Sequence, residues 1–184
     1  MAIETPICDF GQKASDFKLK STGNKIISLN DIKGENGTLI MFICNHCPYV
    51  RAVTKEIVED CNELKKIGIN SVAICANDAD NYPEDYFENM IEFAIKNNFN
   101  FPYLADETQE IAKSYGAVCT PDFFGYNKNL ELQYRGRLRE LKNLVPVREC
   151  DSDLFTAMKQ IAETNKGPEN QTPSAGCSIK WKNS

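Results

Sequence analysis

The stretch TLIMFIC, residues 38–44, limits what this chain can fold into more than any other segment. It is a continuous apolar run beside turn residues, with no polar alternation. Such a strand must be covered on both faces, as a central strand of a layered sheet is. The period then changes. Between residues 48 and 67, Val50, Val53, Ile57, Val58, Cys61, Leu64 and Ile67 recur at steps of three and four, while Lys55, Glu56, Glu59 and Lys66 fall elsewhere. This predicts an amphipathic helix that starts near Pro48, where a missing N–H costs little, and is closed by Gly68.

The rest of the chain continues this alternation. INSVAIC, residues 69–75, is the next strand. Asn81 and Pro83 start a second helix, with Tyr86, Phe87, Met90, Ile91, Ala94 and Ile95 on its buried face. FPYLA, 101–105, is a short strand. Asp106 and Gln109 make a capping-box-like start to a third helix that Gly116 ends. Upstream, FKLKSTGNKIISL, 17–29, reads as a hairpin turning at 21–24, followed by a polar loop over 31–37. Downstream, AVCTPDFFGYN and LELQYRGR read as a second antiparallel hairpin. Asp151 or Ser152 then caps a last helix that buries Leu154, Phe155, Met158, Ile161 and Ala162. The pattern predicts an α/β fold with a central mixed sheet and helices on both faces. There is no internal repeat and no interdomain linker. Residues 1–167 therefore read as one domain, and 168–184 as a C-terminal tail packing on it, loop-like but ending in Cys177, Ile179 and Trp181.

A chain of 184 residues can bury a real core without covalent staples. Its net charge of -5, with no long basic run, argues against nucleic-acid and anionic-membrane partners. No apolar run approaches the roughly 20 residues a membrane helix needs. MAIETPICDF has neither the basic segment nor the apolar core of a secretory signal, so a cytoplasmic protein is expected. The eight cysteines do not read as a disulfide framework in so large a chain, and each is weighed alone. The oligomeric state is not written in the sequence.

Two cysteines stand apart. In FICNHCPYV, Cys44 and Cys47 are separated by two residues at the strand-to-helix junction, with the single histidine, His46, between them. Cys44 is expected at the helix N-terminus, where unpaired N–H groups and the helix dipole stabilise a thiolate. The second sulfur, within one turn, can then attack a mixed disulfide formed at the first. His46 can lend that thiolate a hydrogen bond or positive charge. Thr120-Pro121 enters a strand where proline needs a special place, and a cis bond is one way to provide it. The competing readings are two plain core cysteines or half a metal site. A metal site would have to recruit another cysteine, since no second histidine exists; the redox reading needs neither metal nor cofactor. Cys61 and Cys75 read as core. Cys119 reads as structural, and Cys8 and Cys150 carry no signal. Cys177 is either a third redox thiol or an apolar plug. Arg51, Arg135 and Arg137 could place positive charge near a thiolate, but solvated surface is their default reading.

Taken together, CNHC at this junction and Thr120-Pro121 far downstream resemble the thioredoxin fold. FKLKSTGNKIISLNDIKG and the insertion around 81–105 resemble the alkyl hydroperoxide reductase/thiol-specific antioxidant branch, the redoxins. The run from Asn45 to Val50, NHCPYV, with YPEDYFENM, YRGR and GCSIKWK, is most similar to a peroxiredoxin-like group with that core. The resemblance implies a thioredoxin-like fold with an N-terminal hairpin and a helix-strand insertion, and makes residues 1–167 a redoxin domain. It implies a thiol-disulfide oxidoreductase using the CxxC pair in antioxidant or disulfide-exchange chemistry. The alternatives are a thiol peroxidase, or a non-catalytic module that binds a partner or a metal. Cys44 would attack and Cys47 resolve. Pro121 would be cis and face the pair, with Thr120 shaping the substrate groove. The partners would be a protein or small-molecule disulfide or a peroxide, with a cellular thiol reductant as electron donor. The chain also departs from the pattern. In the peroxidase motif P-x-x-x-T-x-x-C, counted back from Cys47, Cys44 stands for Thr and Ile40 for Pro. Ile43 replaces the usual Trp before the first cysteine, and residues 38–43 contain no carboxylate.

Overall fold

A computed structural model describes residues 2–183. Along it the chain runs β1 (Ala2–Glu4), β2 (Lys18–Ser21), β3 (Ile26–Ser28), α1 (Leu29–Ile32), β4 (Gly37–Phe42), α2 (Pro48–Lys66) and β5 (Ile69–Cys75). A 3-10 turn over Pro83–Asp85 leads to α3 (Phe87–Lys96), β6 (Tyr103–Ala105), α4 (Glu110–Tyr115), β7 (Cys119–Thr120), β8 (Asp122–Tyr126) and β9 (Leu132–Tyr134). The short pair β10 (Leu141–Lys142) and β11 (Val145–Pro146), then α5 (Asp153–Thr164) and β12 (Ala175–Ser178), complete it.

The apolar run at 38–44 becomes β4 and is buried throughout. It lies inside a seven-stranded sheet of order β3-β2-β6-β5-β4-β8-β9. β4 is parallel to β5 and antiparallel to β8, so the sheet is mixed. Successive side chains of a strand point to opposite faces. Leu39, Met41 and Ile43 meet Val50, Val53, Ile57 and Leu64 of α2 and Leu154, Met158 and Ile161 of α5. Ile40 and Phe42 meet Leu29 and Ile32 of α1 and Ala112 and Tyr115 of α4. Both faces are thus covered by helices, as the lack of polar alternation requires. Each fully buried side chain of this size contributes about 1.5–3 kcal/mol of hydrophobic stabilisation. Gly68, at φ +81, turns the chain from α2 into β5 through a conformation that favours glycine. Among the described residues no helix is long and apolar enough to cross a membrane.

Several expectations are corrected. The polar loop at 31–37 begins inside α1. Ser28 Oγ accepts from the Asp31 N–H and Asp31 Oδ2 accepts from the Ser28 N–H, a capping box that stabilises a single helical turn. The second helix starts at Phe87, since Pro83–Asp85 closes a separate 3-10 turn. This helix buries Met90 but leaves Ile95 exposed, as is Tyr86 at its N-cap. Asp106 does not cap α4 as the first residue of a box. Gln109, left-handed at φ 64, is the cap position, and Asp106 Oδ2 accepts from the Ala112 N–H at 2.8 Å. In the tail, β12 joins β1 and β7 in a second, three-stranded antiparallel sheet of order β1-β12-β7. AGCS has no β-branched alternation, so nothing local announces this strand.

Candidate functional site

The site forms where β4 leaves the sheet. The Ile43 N–H still bonds the Ile74 carbonyl, and after it the chain bends through Cys44, Asn45 and His46 into α2. The helix N-cap is Cys47, with Pro48 in the first turn. The expectation that Cys44 occupies the helix N-terminus is therefore corrected: two residues, Asn45 and His46, separate Cys44 from the cap, and it is Cys47 that meets the positive end of the helix.

Both sulfurs belong to the core cluster on the α2 side, with Cys44 1% and Cys47 0% exposed. Thr120 lies across both. Its Oγ1 is 3.3 Å from Cys44 Sγ, and its carbonyl oxygen accepts from the Cys47 thiol at 3.2 Å. The Thr120–Pro121 peptide is cis.

Charge is distributed unequally over the pair. The Cys44 thiol, acting as donor, holds Cys47 well below its ordinary value of 9.0. Burial opposes this, and the Cys177 thiol and the N–H groups of Val50 and Cys177 support it. At the N-cap, Cys47 stands beside the first-turn N–H groups, which have no helical partner, and the positive end of the helix dipole. Cys44 is pushed up, by its role as donor to Cys47, then by burial and by the Asp85 charge. Of the two, Cys47 is the thiol whose ionisation its neighbours favour, and ionising it gives up the hydrogen bond it donates to the Thr120 carbonyl.

His46 is clamped. Its Nδ1–H donates to Asp85 Oδ2 at 2.7 Å, and its ring stacks on Tyr82 at 5.8 Å with the planes 7° apart. The hydrogen bond to Asp85 raises the imidazole pKa, against the effect of partial burial. Asp85, itself buried, also accepts from the Asn45 N–H at 2.7 Å and Asn77 Nδ2 at 2.8 Å. Burial alone would push its carboxyl up, but these three hydrogen bonds pull it below the usual range. Asn45 is fixed from its other side by the Tyr103 hydroxyl, and its carbonyl accepts from Arg51 Nε. Asp85 has no signal in the sequence beyond its place in YPEDYFENM.

Cys44, His46 and Asp85 bring one donor atom each within 4.8 Å of one another. That set has the chemistry of a three-ligand site. The 2.7 Å His46–Asp85 contact, however, is the length of a hydrogen bond, and a proton fills the space between them.

Cys177 lies on β12 with its Cα opposite Thr120. It packs against the core cluster that contains both Cys44 and Cys47, and burial followed by the Cys47 neighbour pushes its thiol up to about 11. Cys119 is buried, with its thiol directed to the Pro121 carbonyl. Cys61 and Cys75 are buried in the core, Cys8 is partly buried and Cys150 is exposed.

None of the three arginines contacts a sulfur of the pair: Arg51 holds the loop between the cysteines, and Arg135 and Arg137 pair with carboxylates. Arg137 pairs with Asp153, and Arg51 with the Asn45 carbonyl. Arg135 grips the fully buried Asp122 through Nε at 3.3 Å and Nη2 at 2.9 Å. Asp122 follows Pro121 directly and pairs with Phe42 of β4. An acid at the head of the apolar run DFFGY, with an arginine waiting in YRGR, is the signal that could have revealed this pair. Two depressions flank the site. One of about 310 Å³ is lined by Asn77, Asp85, Tyr86 and Asp106, and one of about 220 Å³ by Tyr49, Val53, Pro121, Phe123 and Leu138.

A family model described as AhpC/TSA family matches residues 10–140. The crystal structure of an uncharacterized conserved protein from Geobacillus kaustophilus is 42% identical at a TM-score of 0.95, covering 100% of this chain and 98% of its own. A hypothetical protein from Sinorhizobium meliloti 1021 is 33% identical at a TM-score of 0.89, covering 97% of both chains. The thioredoxin domain of a thiol-disulfide oxidoreductase from Bacteroides vulgatus shares the fold at 15% identity and a TM-score of 0.63, covering 83% of this chain and 97% of its own. Among curated proteins no relative matches.

Proposed function

From the premise that the chain belongs to the AhpC/TSA family, we propose that it is a redoxin whose Cys44 and Cys47 cycle between dithiol and disulfide. The observation that carries this reading is the placement of two adjacent sulfurs at the strand-to-helix junction, both against Thr120. Cys47 caps the start of α2, Asn45 and His46 separate it from Cys44, and Thr120 of the cis Thr120–Pro121 peptide touches both sulfurs.

In disulfide exchange, the Cys47 thiolate attacks one sulfur of a substrate disulfide. A Cys47–substrate bond forms and one substrate thiolate leaves, taking up a proton. Cys44 then gives up its proton and attacks Cys47, closing the Cys44–Cys47 disulfide and releasing the second substrate thiol. The substrate gains two electrons, and a cellular thiol reductant returns two to the pair. The sequence reading gave attack to Cys44; the cap position of Cys47 supports the reverse assignment. Thr120, touching both sulfurs, and Pro121, lining the apolar depression with Tyr49, are the groove residues of this reading.

Burial of both sulfurs favours a second reading, in which the oxidant is small. There peroxide is reduced by Cys47, which becomes a sulfenic acid as water leaves. Cys44 condenses with it, releasing a second water. Cys47 stands in the cysteine place of the peroxidase motif, with Cys44 where the threonine hydroxyl would be.

One set of variants tests both. Cys44→Ser should accumulate a Cys47-linked mixed disulfide with a small aromatic disulfide, and Cys47→Ser should not. If peroxide consumes the thiols of the reduced protein no faster than free cysteine, the peroxidase reading fails. If the pair never closes a disulfide under either oxidant, both fail.

A further inference from the structure

A sulfur that is 0% exposed, beside a partner at 1%, is a poor entry point for a bulky protein reductant. The thiol in this cluster that is only partly buried is Cys177. We propose that Cys177 is a second resolving thiol, which carries the disulfide from the buried pair to the surface as a Cys47–Cys177 bond; this rests on the redoxin reading above.

The tail is built to hold that thiol in place. β12 runs antiparallel to β7 with Cys177 opposite Thr120, the residue whose carbonyl contacts Cys47 Sγ. That register packs Cys177 against the core cluster that holds Cys44 and Cys47. The strand is fixed on both sides of Cys177. Before it, the Ser174 hydroxyl donates to the Pro121 carbonyl at 2.8 Å, and the Thr5 N–H to the Ser174 carbonyl at 2.9 Å. Gly176 packs so closely that a Cβ there would overlap the Thr120 carbonyl oxygen. After it, the Ile179 N–H bonds the Val118 carbonyl, and the Lys180 N–H bonds Asn77 Oδ1. The Lys180 carbonyl accepts from the Asp78 N–H and from Gln109 Nε2. Ile179 is buried and is the apolar anchor, while Cys177 is held at the rim. An apolar plug would not need an unbroken backbone ladder aimed at one sulfur.

The steps balance. With Cys47 joined to Cys44, or directly to a substrate sulfur, Cys177 loses its proton and attacks Cys47. The Cys47–Cys177 bond forms, and Cys44, or the substrate thiol, leaves with a proton. A dithiol reductant then attacks the Cys177 sulfur. Cys47 departs as thiolate, the best leaving group of the cluster because its thiol is the most acidic. The second reductant thiol closes the reductant's own disulfide and frees Cys177, which takes up a proton. Cys44 resolves on the buried side of Cys47, and Cys177 on the solvent side.

The experiment uses the full chain, oxidised by glutathione disulfide, alkylated at its free thiols and digested for mass mapping. Cys44→Ser should yield the peptide of Cys47 joined to that of Cys177. In parallel, oxidised wild type and Cys177→Ser, the latter checked for native unfolding, are reduced with dithiothreitol. The variant should be reduced at least about tenfold more slowly, because the exposed entry sulfur is gone. A Cys44→Ser protein with no Cys47–Cys177 peptide, or equal reduction rates, overturns the proposal. Should Cys44–Cys47 form in wild type while Cys47–Cys177 never does, the relay alone falls. Should Cys47–Cys177 form while Cys44–Cys47 does not, the relay stands and the CxxC cycle falls.

Discussion

His46 Nδ1 stands 2.7 Å from Asp85 Oδ2, so the one histidine of the chain leans on a buried carboxylate from the insertion. The loop between the two cysteines is thereby fixed from outside α2. Asp85 also accepts from the Asn45 N–H, so it orients both residues between Cys44 and Cys47.

This pair should write a pH signature into stability. The His46 pKa is raised on folding, so its contribution is complete below the ordinary value of 6.5 and is lost as pH rises through the higher folded value. The Asp85 pKa is lowered, so its contribution is present above 3.8 and is lost as pH falls through the folded value. Between 3.8 and 6.5 both are in force. Asp85→Asn should therefore cost most in that window and progressively less above it, on the order of 1–3 kcal/mol at its largest. Urea unfolding of wild type and variant across pH measures this. A difference that stays constant with pH would separate Asp85 from His46.

The charge at the pair makes a second prediction. Thiolate absorbance of the reduced wild type should show a titration well below 9.0 that disappears in Cys47→Ser. In Cys44→Ala the Cys47 midpoint should move up, because the thiol that donates to it is gone. A low titration that survives in Cys47→Ser and vanishes in Cys44→Ser would return the thiolate to Cys44.

How far the site can be read without a structure follows from range. β4, α2, β5 and the hairpin β8–β9 are announced by periodicity, because burial on one or both faces imposes a repeat that the residues carry themselves. CNHC and Thr120-Pro121 are local motifs and are visible for the same reason. The start of the helix near Pro48 is legible, but the bend through Asn45 and His46 that takes Cys44 off the helix leaves no mark on composition, and only the backbone shows it. Asp85 and Cys177 come from segments without periodicity. Their roles depend on pairings across long stretches of chain, His46 with Asp85 and Thr120 with Cys177, which no local pattern encodes. β12 is held by backbone bonds to β1 and β7 rather than by strand-forming residues.

The ion pair behind Pro121 sets a third prediction. Asp122 is fully buried, and Arg135 satisfies it with two hydrogen bonds while its guanidinium lies over the Phe124 ring at 4.4 Å. Arg135→Met keeps the volume but leaves the carboxylate without its counter-ion. Removing one partner of a buried pair costs roughly 3–5 kcal/mol. Urea unfolding should show a loss of that order, and Asp122→Asn combined with Arg135→Met should recover part of it. An additive double variant would mean that the two side chains do not act as a pair.

Gly176 sets the last. Its backbone is not left-handed, so alanine is excluded by space alone. A methyl group at 176 would meet the Thr120 carbonyl oxygen, which is the backbone of β7 and cannot rotate away. Gly176→Ala must therefore push β12 off β7, at a cost of about 1–3 kcal/mol for overpacking. The push moves Cys177 away from Thr120 and exposes it. Alkylation of Cys177 in the native, reduced protein should accelerate in Gly176→Ala, measured by mass spectrometry of the peptide that contains it. The Cys47 titration should also move up, because the Cys177 thiol and N–H that favour its anion retreat with the strand. A variant that unfolds earlier but keeps both the Cys177 alkylation rate and the Cys47 midpoint would mean that the tail register does not control the thiols.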